Sequence, residues 1–334
     1  MQAIFCDGAG QVRIAAPYPV PEPPPGWARV RVTYAGICAT DLELIRGYKS
    51  FQGVLGHEFC GVVETSPAAP GWEGRRVVGE INIACGVCMP CRRGHRSHCA
   101  ARRVLGILGH DGAFAGYLTL PLENLHAVPD GVPDTTAVFA EPLAAALEIL
   151  EGVHVRPAMT VYILGAGKLG LLVAQVLRLT GCACTLLGRH PAKLALAAGW
   201  GLATVLLPAA GVDGPAAGPD IPPADLVVDC TGHPDGPRLA GSVLRPRGTL
   251  VLKSTFQGAA AWHPTDFVVN EWTLVGSRCG PFAPALRLLA QGLVDPRPLI
   301  EATYPLAQGL AALEHARRPG ALKILLRIGA PDSG

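Results

Sequence analysis

The chain has 334 residues, a net charge of +2, 49 % apolar residues and 16 % charged ones. A balance this close to neutral offers no basic face for nucleic acid or an acidic membrane, and the length predicts two domains over a large core. No apolar run reaches membrane-spanning length, since the best candidate, 169–187, contains Arg178 and Gly181. Residues 1–5 carry no basic patch leading into an apolar stretch, so the expectation is a cytoplasmic protein without a signal peptide.

Up to about residue 125 the sequence is rich in Gly, Pro and short β-branched runs. Segments 30–33, 61–64 and 76–78 read as short strands. The proline-dense stretch 17–26 can be neither a central strand nor a helix. This part reads as a β-barrel-like domain. From about 142 to 280 strands alternate with helices. Strands are predicted at 161–164, 185–187, 226–229, 249–252 and 273–275, and helices at 169–179 and 191–199, the latter with Pro191 in its first turn. That rhythm predicts a doubly wound parallel sheet. The Pro/Gly/Ala-rich stretch 208–223 reads as a surface loop without functional content. The tail from 281 is expected to hold helices near 283–291 and 306–316 and a strand at 322–327.

Cys85-x2-Cys88-x2-Cys91-x7-Cys99 is the strongest local motif. Four thiolates this close in sequence can fill every position of one tetrahedral Zn²⁺, which makes a structural site. The spacings are too short for most disulfides, and nothing marks the chain for secretion. His95 and His98 stand in the last interval and are read as solvated, because four thiols already close the shell. The other cysteines, apart from Cys38, read as small apolar residues.

Gly165-Ala166-Gly167-Lys168-Leu169-Gly170 follows a predicted strand and opens a predicted helix. Gly165 permits the tight turn, Gly167 lets the backbone approach a pyrophosphate, and Gly170 lets helix and strand pack closely. Lys168 is either a solvated residue or a phosphate contact. A carboxylate at the end of the second strand would bind the adenosine ribose of NAD, yet Gly188 stands there, followed by Arg189 and His190. A small residue with an arginine beside it suits the 2′-phosphate of NADP(H), with NAD as the alternative. Thr231, just beyond the strand 226–229, joins the cofactor-binding set.

Cys38, His57, Glu58 and Glu141 are each unremarkable alone. Together they offer a thiolate, an imidazole and two carboxylates, a set that suits a zinc with an open position. The segments Gly36-Ile37-Cys38-Ala39-Thr40-Asp41 and Gly56-His57-Glu58, the four-cysteine lobe and the GxGxxG occur in one order along the chain. In this combination the chain resembles the zinc-dependent medium-chain dehydrogenase/reductase family over essentially its whole length.

The resemblance implies a GroES-like catalytic domain at 1–141 and 281–334, with the zinc lobe near 85–99, interrupted by a Rossmann domain at 142–280. It implies two zinc ions per subunit, the catalytic one lying in the cleft between the domains. Cys38 and His57 become zinc ligands, and the sequence leaves open whether Glu58, Glu141 or both complete the set. Asp41 would orient His57. Thr40 would bond the substrate hydroxyl and start a proton relay. Some relatives finish that relay with a His five residues after the cysteine, where this chain has Glu43.

The implied reaction is hydride transfer between NADP(H) and an alcohol, polyol or carbonyl compound, in a homodimer or homotetramer. Family analogy puts Leu44, Tyr48, Phe51, Ile107, His110 and Phe114 around the substrate. The alternatives are an NAD-dependent sorbitol- or threonine-type dehydrogenase and a non-catalytic cofactor-binding redox sensor.

Overall fold

The computed structural model describes residues 1–208, 219–256, 259–260 and 263–329. Most of the predicted loop 208–223 lies outside the described residues. The chain separates into two compact units, Met1–Glu141 with Phe282–Gly334, and Pro142–Pro281.

The first unit is built on a seven-stranded sheet. Its longest strand, β1 (Trp27–Ile37), is followed by helix α1 (Ala39–Ile45). Ala28, Val30 and Val32 face the core while Arg29 and Arg31 alternate with them, the period-two pattern of a half-covered strand. Next come β2 (Glu58–Thr65), β3 (Arg76–Gly79) and β4 (Leu125–Ala127). Tyr117–Pro121 also pairs with β1. Two three-stranded sheets flank this one; Ala3–Cys6 and Val12–Ala15 belong to the first, and neither carries enough apolar alternation to be legible beforehand.

The second unit begins with β5 (Thr160–Leu164), α2 (Lys168–Arg178), β6 (Ala183–Gly188), α3 (Pro191–Gly199) and β7 (Ala203–Leu206). It continues through β8 (Ala224–Asp229), α4 (Gly236–Ser242), β9 (Leu244–Leu252), α5 (Pro264–Asn270) and β10 (Thr273–Gly276). The strands stand in the order β7-β6-β5-β8-β9-β10 and every pair is parallel. This is the expected doubly wound sheet. Leu164, Leu187, Val227 and Leu250 share its core. β7 escaped the sequence reading because it is a half-exposed edge strand without a continuous apolar run.

The chain then returns to the first unit. β11 (Ile300–Pro305) and β12 (Lys323–Arg327) add to its large sheet, giving the order β4-β3-β2-β1-β12-β11. The segment expected as one helix at 306–316 divides into a 3₁₀ turn, Leu306–Gln308, and a helix, Gly309–Ala316. Register matters here: Glu58 of β2 lies opposite Gly36 of β1, and Leu325 of β12 lies opposite Gly36 from the other side.

Candidate metal centres and dinucleotide site

The end of β1 and the start of β2 bring one donor set together. Cys38 Sγ, one ring nitrogen of His57 and a carboxylate oxygen of Glu58 all lie within 4.8 Å of one another. Cys38 caps the N-terminus of α1, and Asp41 sits in its first turn. One Asp41 oxygen accepts the Cys38 backbone N–H at 2.8 Å, and the other accepts His57 Nδ1 at 3.1 Å. A single buried carboxylate therefore fixes both the backbone of the thiol and the orientation of the imidazole. With Nδ1 donating, Nε2 carries the lone pair that a metal needs.

Burial opposes a charge on His57, and the Asp41 carboxylate outweighs it, holding the imidazole pKa well above its ordinary value, so a metal at Nε2 would have to displace a proton there. Thr40 Oγ1 lies 3.8 Å from Cys38 Sγ. Glu43 forms an ion pair with Arg46 in the next turn.

Glu58 has a second partner. Lys323 Nζ donates to its Oε2, and both side chains are buried, 2 % and 1 % exposed. Burial works against the Lys323 ammonium, but Glu58, Cys38 and Glu141 offset it and raise its pKa. Gly36 makes the room: a Cβ there would lie 2.5 Å from Glu58 Oε2 and 3.4 Å from Lys323 Cδ. Glu141 is within electrostatic reach of Lys323 but outside the trio formed by Cys38, His57 and Glu58. Nothing in the sequence marked Lys323.

Cys85, Cys88, Cys91 and Cys99 form the second group, also within 4.8 Å of one another. A zinc tetrahedron with Zn–S of about 2.3 Å has S···S edges of about 3.8 Å. Cys88 and Cys91 are 3.3 Å apart, and Cys85 and Cys91 are 4.0 Å apart, so the set fits the ion with small adjustments. Backbone N–H groups at Val87 and Cys88 hold the Cys85 thiol down to about 6, whereas burial and the Cys88 thiol push Cys91 up to about 12.

Of the residues expected around a substrate, Leu44, Phe51, Ile107 and Phe114 are core residues of the first unit. Tyr48 is exposed. His110 Nε2 bonds the Thr119 carbonyl at 2.8 Å and borders a cavity with Tyr18, Gln52 and Asp111.

In the second unit a cavity of about 300 Å³ opens at the carboxyl ends of β5, β6 and β8. Gly165, Ala166, Gly167, Gly188, Arg189, His190 and Thr231 line it, whereas Lys168, Leu169 and Gly170 lie outside the lining. Gly165 has φ +101, and a Cβ on Gly170 would come within 1.9 Å of the Gly165 carbonyl oxygen, so turn and helix can meet only without side chains. The start of α2 has no side-chain cap, which leaves its first N–H groups for an anion.

A Cβ at 188 would lie 2.7 Å from Ala166 Cβ, so a side chain at that position would require the fingerprint turn to shift. Thr231 is tied down by Asp229, which accepts its N–H at 2.9 Å and its hydroxyl at 2.7 Å. Lys193 and Arg238 also line the cavity. Lys193 was readable as a continuation of the basic run Arg189–His190. Arg238, brought in by α4, had no local signal.

The sequence comparisons agree with this geometry. Residues 24–130 match the alcohol dehydrogenase GroES-like domain, and residues 169–291 match the zinc-binding dehydrogenase domain. An erythritol/L-threitol dehydrogenase of Mycolicibacterium smegmatis is 30 % identical over 335 residues, covering 92 % of each chain. The chain belongs to the zinc-dependent medium-chain dehydrogenase family.

It is accordingly a zinc-dependent oxidoreductase that uses a nicotinamide cofactor. A sorbitol dehydrogenase of Halalkalibacterium halodurans is 29 % identical over 328 residues, covering 92 % of this chain and 93 % of that one. Among solved structures, a zinc-binding dehydrogenase of Sinorhizobium meliloti 1021 bound to NADP superposes with a TM-score of 0.88 at 30 % identity, covering 98 % of this chain and 99 % of that one. An alcohol dehydrogenase of Escherichia coli CFT073 complexed with NADH gives the same TM-score at 27 % identity and the same coverage. The expected fold class, a GroES-like unit with a Rossmann unit, holds for this family member. Among the described residues no helix is long and apolar enough to cross a membrane.

Proposed function

We propose that this chain is an NADP(H)-dependent dehydrogenase that interconverts a secondary hydroxyl of a polyol or related compound with the corresponding carbonyl. The observation that carries the reading is the trio of half-buried Cys38 with buried His57 and Glu58, with Asp41 locked behind it. The polyol class is supported by the names of the sorbitol and erythritol/L-threitol relatives. NADP(H) is supported by Gly188 beside Arg189, His190, Lys193 and Arg238 in one cavity, and by the NADP-bound relative of Sinorhizobium meliloti.

When bound, zinc supplies Lewis acidity at the substrate oxygen, and the nicotinamide accepts or returns the hydride. Cys38 and His57 hold the metal, with a Glu58 oxygen as third ligand and Glu141 as the further carboxylate within reach of the same charges. Asp41 keeps the His57 proton on Nδ1, so Nε2 stays directed to the metal. Thr40 Oγ1, beside Cys38, accepts the proton of the substrate hydroxyl in oxidation and returns it in reduction. Glu43 is held by Arg46, so solvent rather than a side chain at that position takes the proton onward. Cys85, Cys88, Cys91 and Cys99 hold a structural zinc. Arg189, with His190, pairs with the 2′-phosphate.

Residues 1–141 and 281–334 form the catalytic domain in this reading, and 142–280 the dinucleotide-binding domain. The thiolate sites suit a reducing cytoplasm. A homodimer or homotetramer is supported by exposed Val268, Val269 and Leu274 on α5 and the edge strand β10.

The test combines metal analysis with a panel of polyols and ketoses followed by nicotinamide absorbance. Turnover of a polyol, lost in C38S and H57A while NADPH binding persists, is the expected result. Activity retained in C38S sinks the assignment.

A further inference from the structure

The carboxyl edge of the parallel sheet carries a buried cation that no motif announced. Lys253 follows directly on β9 and is 7 % exposed. Its Nζ donates to Ser277 Oγ at 2.9 Å, one residue beyond β10. Its backbone N–H reaches the Asp229 carbonyl at 3.0 Å, at the end of β8. The next residue, Ser254, accepts the Gly232 N–H at 2.8 Å and donates to the Asp229 carbonyl at 3.4 Å. Three neighbouring strands thus end in one polar seam. The seam runs through Thr231 into the wall of the dinucleotide cavity. The Lys253 charge is also felt at Cys230 in that wall, where it opposes the upward push of burial and Asp229 on the thiol.

A dinucleotide on a doubly wound sheet lies across the carboxyl ends of the strands, one half to each side of the fingerprint strand. Gly188, Arg189 and His190 give the β6 side to the adenosine half. The β5–α2 turn takes the pyrophosphate. The ends of β8, β9 and β10 are left for the nicotinamide half, and there Lys253 stands.

We propose that Lys253, steadied by Ser277, is a positioning residue at the nicotinamide end that weights binding toward the reduced cofactor. The oxidised ring carries a positive charge and the reduced ring carries none. A fixed ammonium in a seam shielded from water repels the first and spares the second. The bound couple is then easier to reduce than it would be over a neutral side chain, so on the enzyme hydride passes more readily from the alcohol to the cofactor. This rests on the nicotinamide assignment made under Proposed function.

The experiment measures dissociation constants of NADPH and NADP⁺, with NADH and NAD⁺ in parallel, by fluorescence and calorimetry on the zinc-loaded protein without substrate. K253M should tighten NADP⁺ about tenfold while moving NADPH less than about twofold. A tenfold change in that ratio lowers the potential of the bound two-electron couple by about 30 mV. K253R should keep the wild-type ratio. S277A keeps the charge but releases it, so it should move the ratio in the same direction as K253M by a smaller factor, and it serves if K253M does not fold. An unchanged ratio, or equal loss of both forms, in K253M or S277A overturns the proposal. Wild-type protein that binds neither form sinks the cofactor assignment instead.

Discussion

Lys323 of β12 and Glu58 of β2 form a buried ion pair directly behind the Cys38–His57 donor set, across the gap left by Gly36 of the strand between them. The pair gives Glu58 two competing attractions, one toward the ammonium and one toward a metal. A buried charge that loses its partner is left without compensation, so breaking this pair costs far more than an exposed one would. K323M should destabilise the protein by about 3–5 kcal/mol in urea unfolding. The double variant K323M/E58Q should recover part of that loss, because it removes the orphaned carboxylate charge. A loss in K323M below about 1 kcal/mol would mean that water already reaches the pair.

Asp41 makes a different kind of contribution. It touches no substrate, yet it holds both the Cys38 N–H and His57 Nδ1. D41N keeps the shape but presents an amide where the imidazole needs an acceptor of full charge. Zinc affinity at the Cys38–His57 site should fall about 10–100-fold in a chelator competition. Zinc at the four-cysteine lobe should be unaffected in the same titration, and loss of both ions together would point to unfolding instead.

The four-cysteine lobe should report on stability before activity. C85S should lower the zinc content by about one ion per chain and reduce thermal stability, since a closed zinc shell contributes folding energy. NADPH binding should persist in the variant that remains folded. Unchanged zinc content by elemental analysis would refute the structural ion.

Cofactor choice rests on charge and on steric exclusion at one spot. R189Q should weaken NADPH binding about tenfold or more and leave NADH nearly unchanged, because a charge-assisted bond to the 2′-phosphate is removed. G188D should bind neither cofactor well, since its Cβ meets Ala166. If G188D instead gains NADH affinity without loss of stability, the backbone yields there and the steric argument fails.

Acid should weaken the dinucleotide-binding unit through Asp225. Burial disfavours its charge, but the Thr160 N–H at 2.7 Å and the Arg245 guanidinium at 2.7 Å outweigh burial and lower its pKa. A carboxyl group with a depressed native pKa stabilises the fold fully above its unfolded value, about 3.9, and loses that contribution as pH falls through the native value. D225N should therefore be less stable than wild type at pH 7, and the gap should narrow as the pH drops below about 4. A gap that stays constant with pH in paired denaturation curves would exclude the ionised form as its source.

What the sequence determined by itself was local. The spacing of Cys85, Cys88, Cys91 and Cys99 identifies a metal lobe because the loop closes over a few residues. The glycines from 165 to 170 identify a turn because only their backbones can make it, and the apolar runs of β5, β8 and β9 identify buried parallel strands because both faces must be covered. The tertiary structure decided what depends on long-range register and shared burial. Lys323 lies 265 residues from Glu58 along the chain, and only the pairing of β12 with β1 brings them together. Arg238 meets Arg189 only because α4 follows β8 back to the same edge of the sheet. A lysine or arginine carries no mark in sequence of whether its partner is water or a buried carboxylate, since that is fixed by which strands stand side by side once the core has closed.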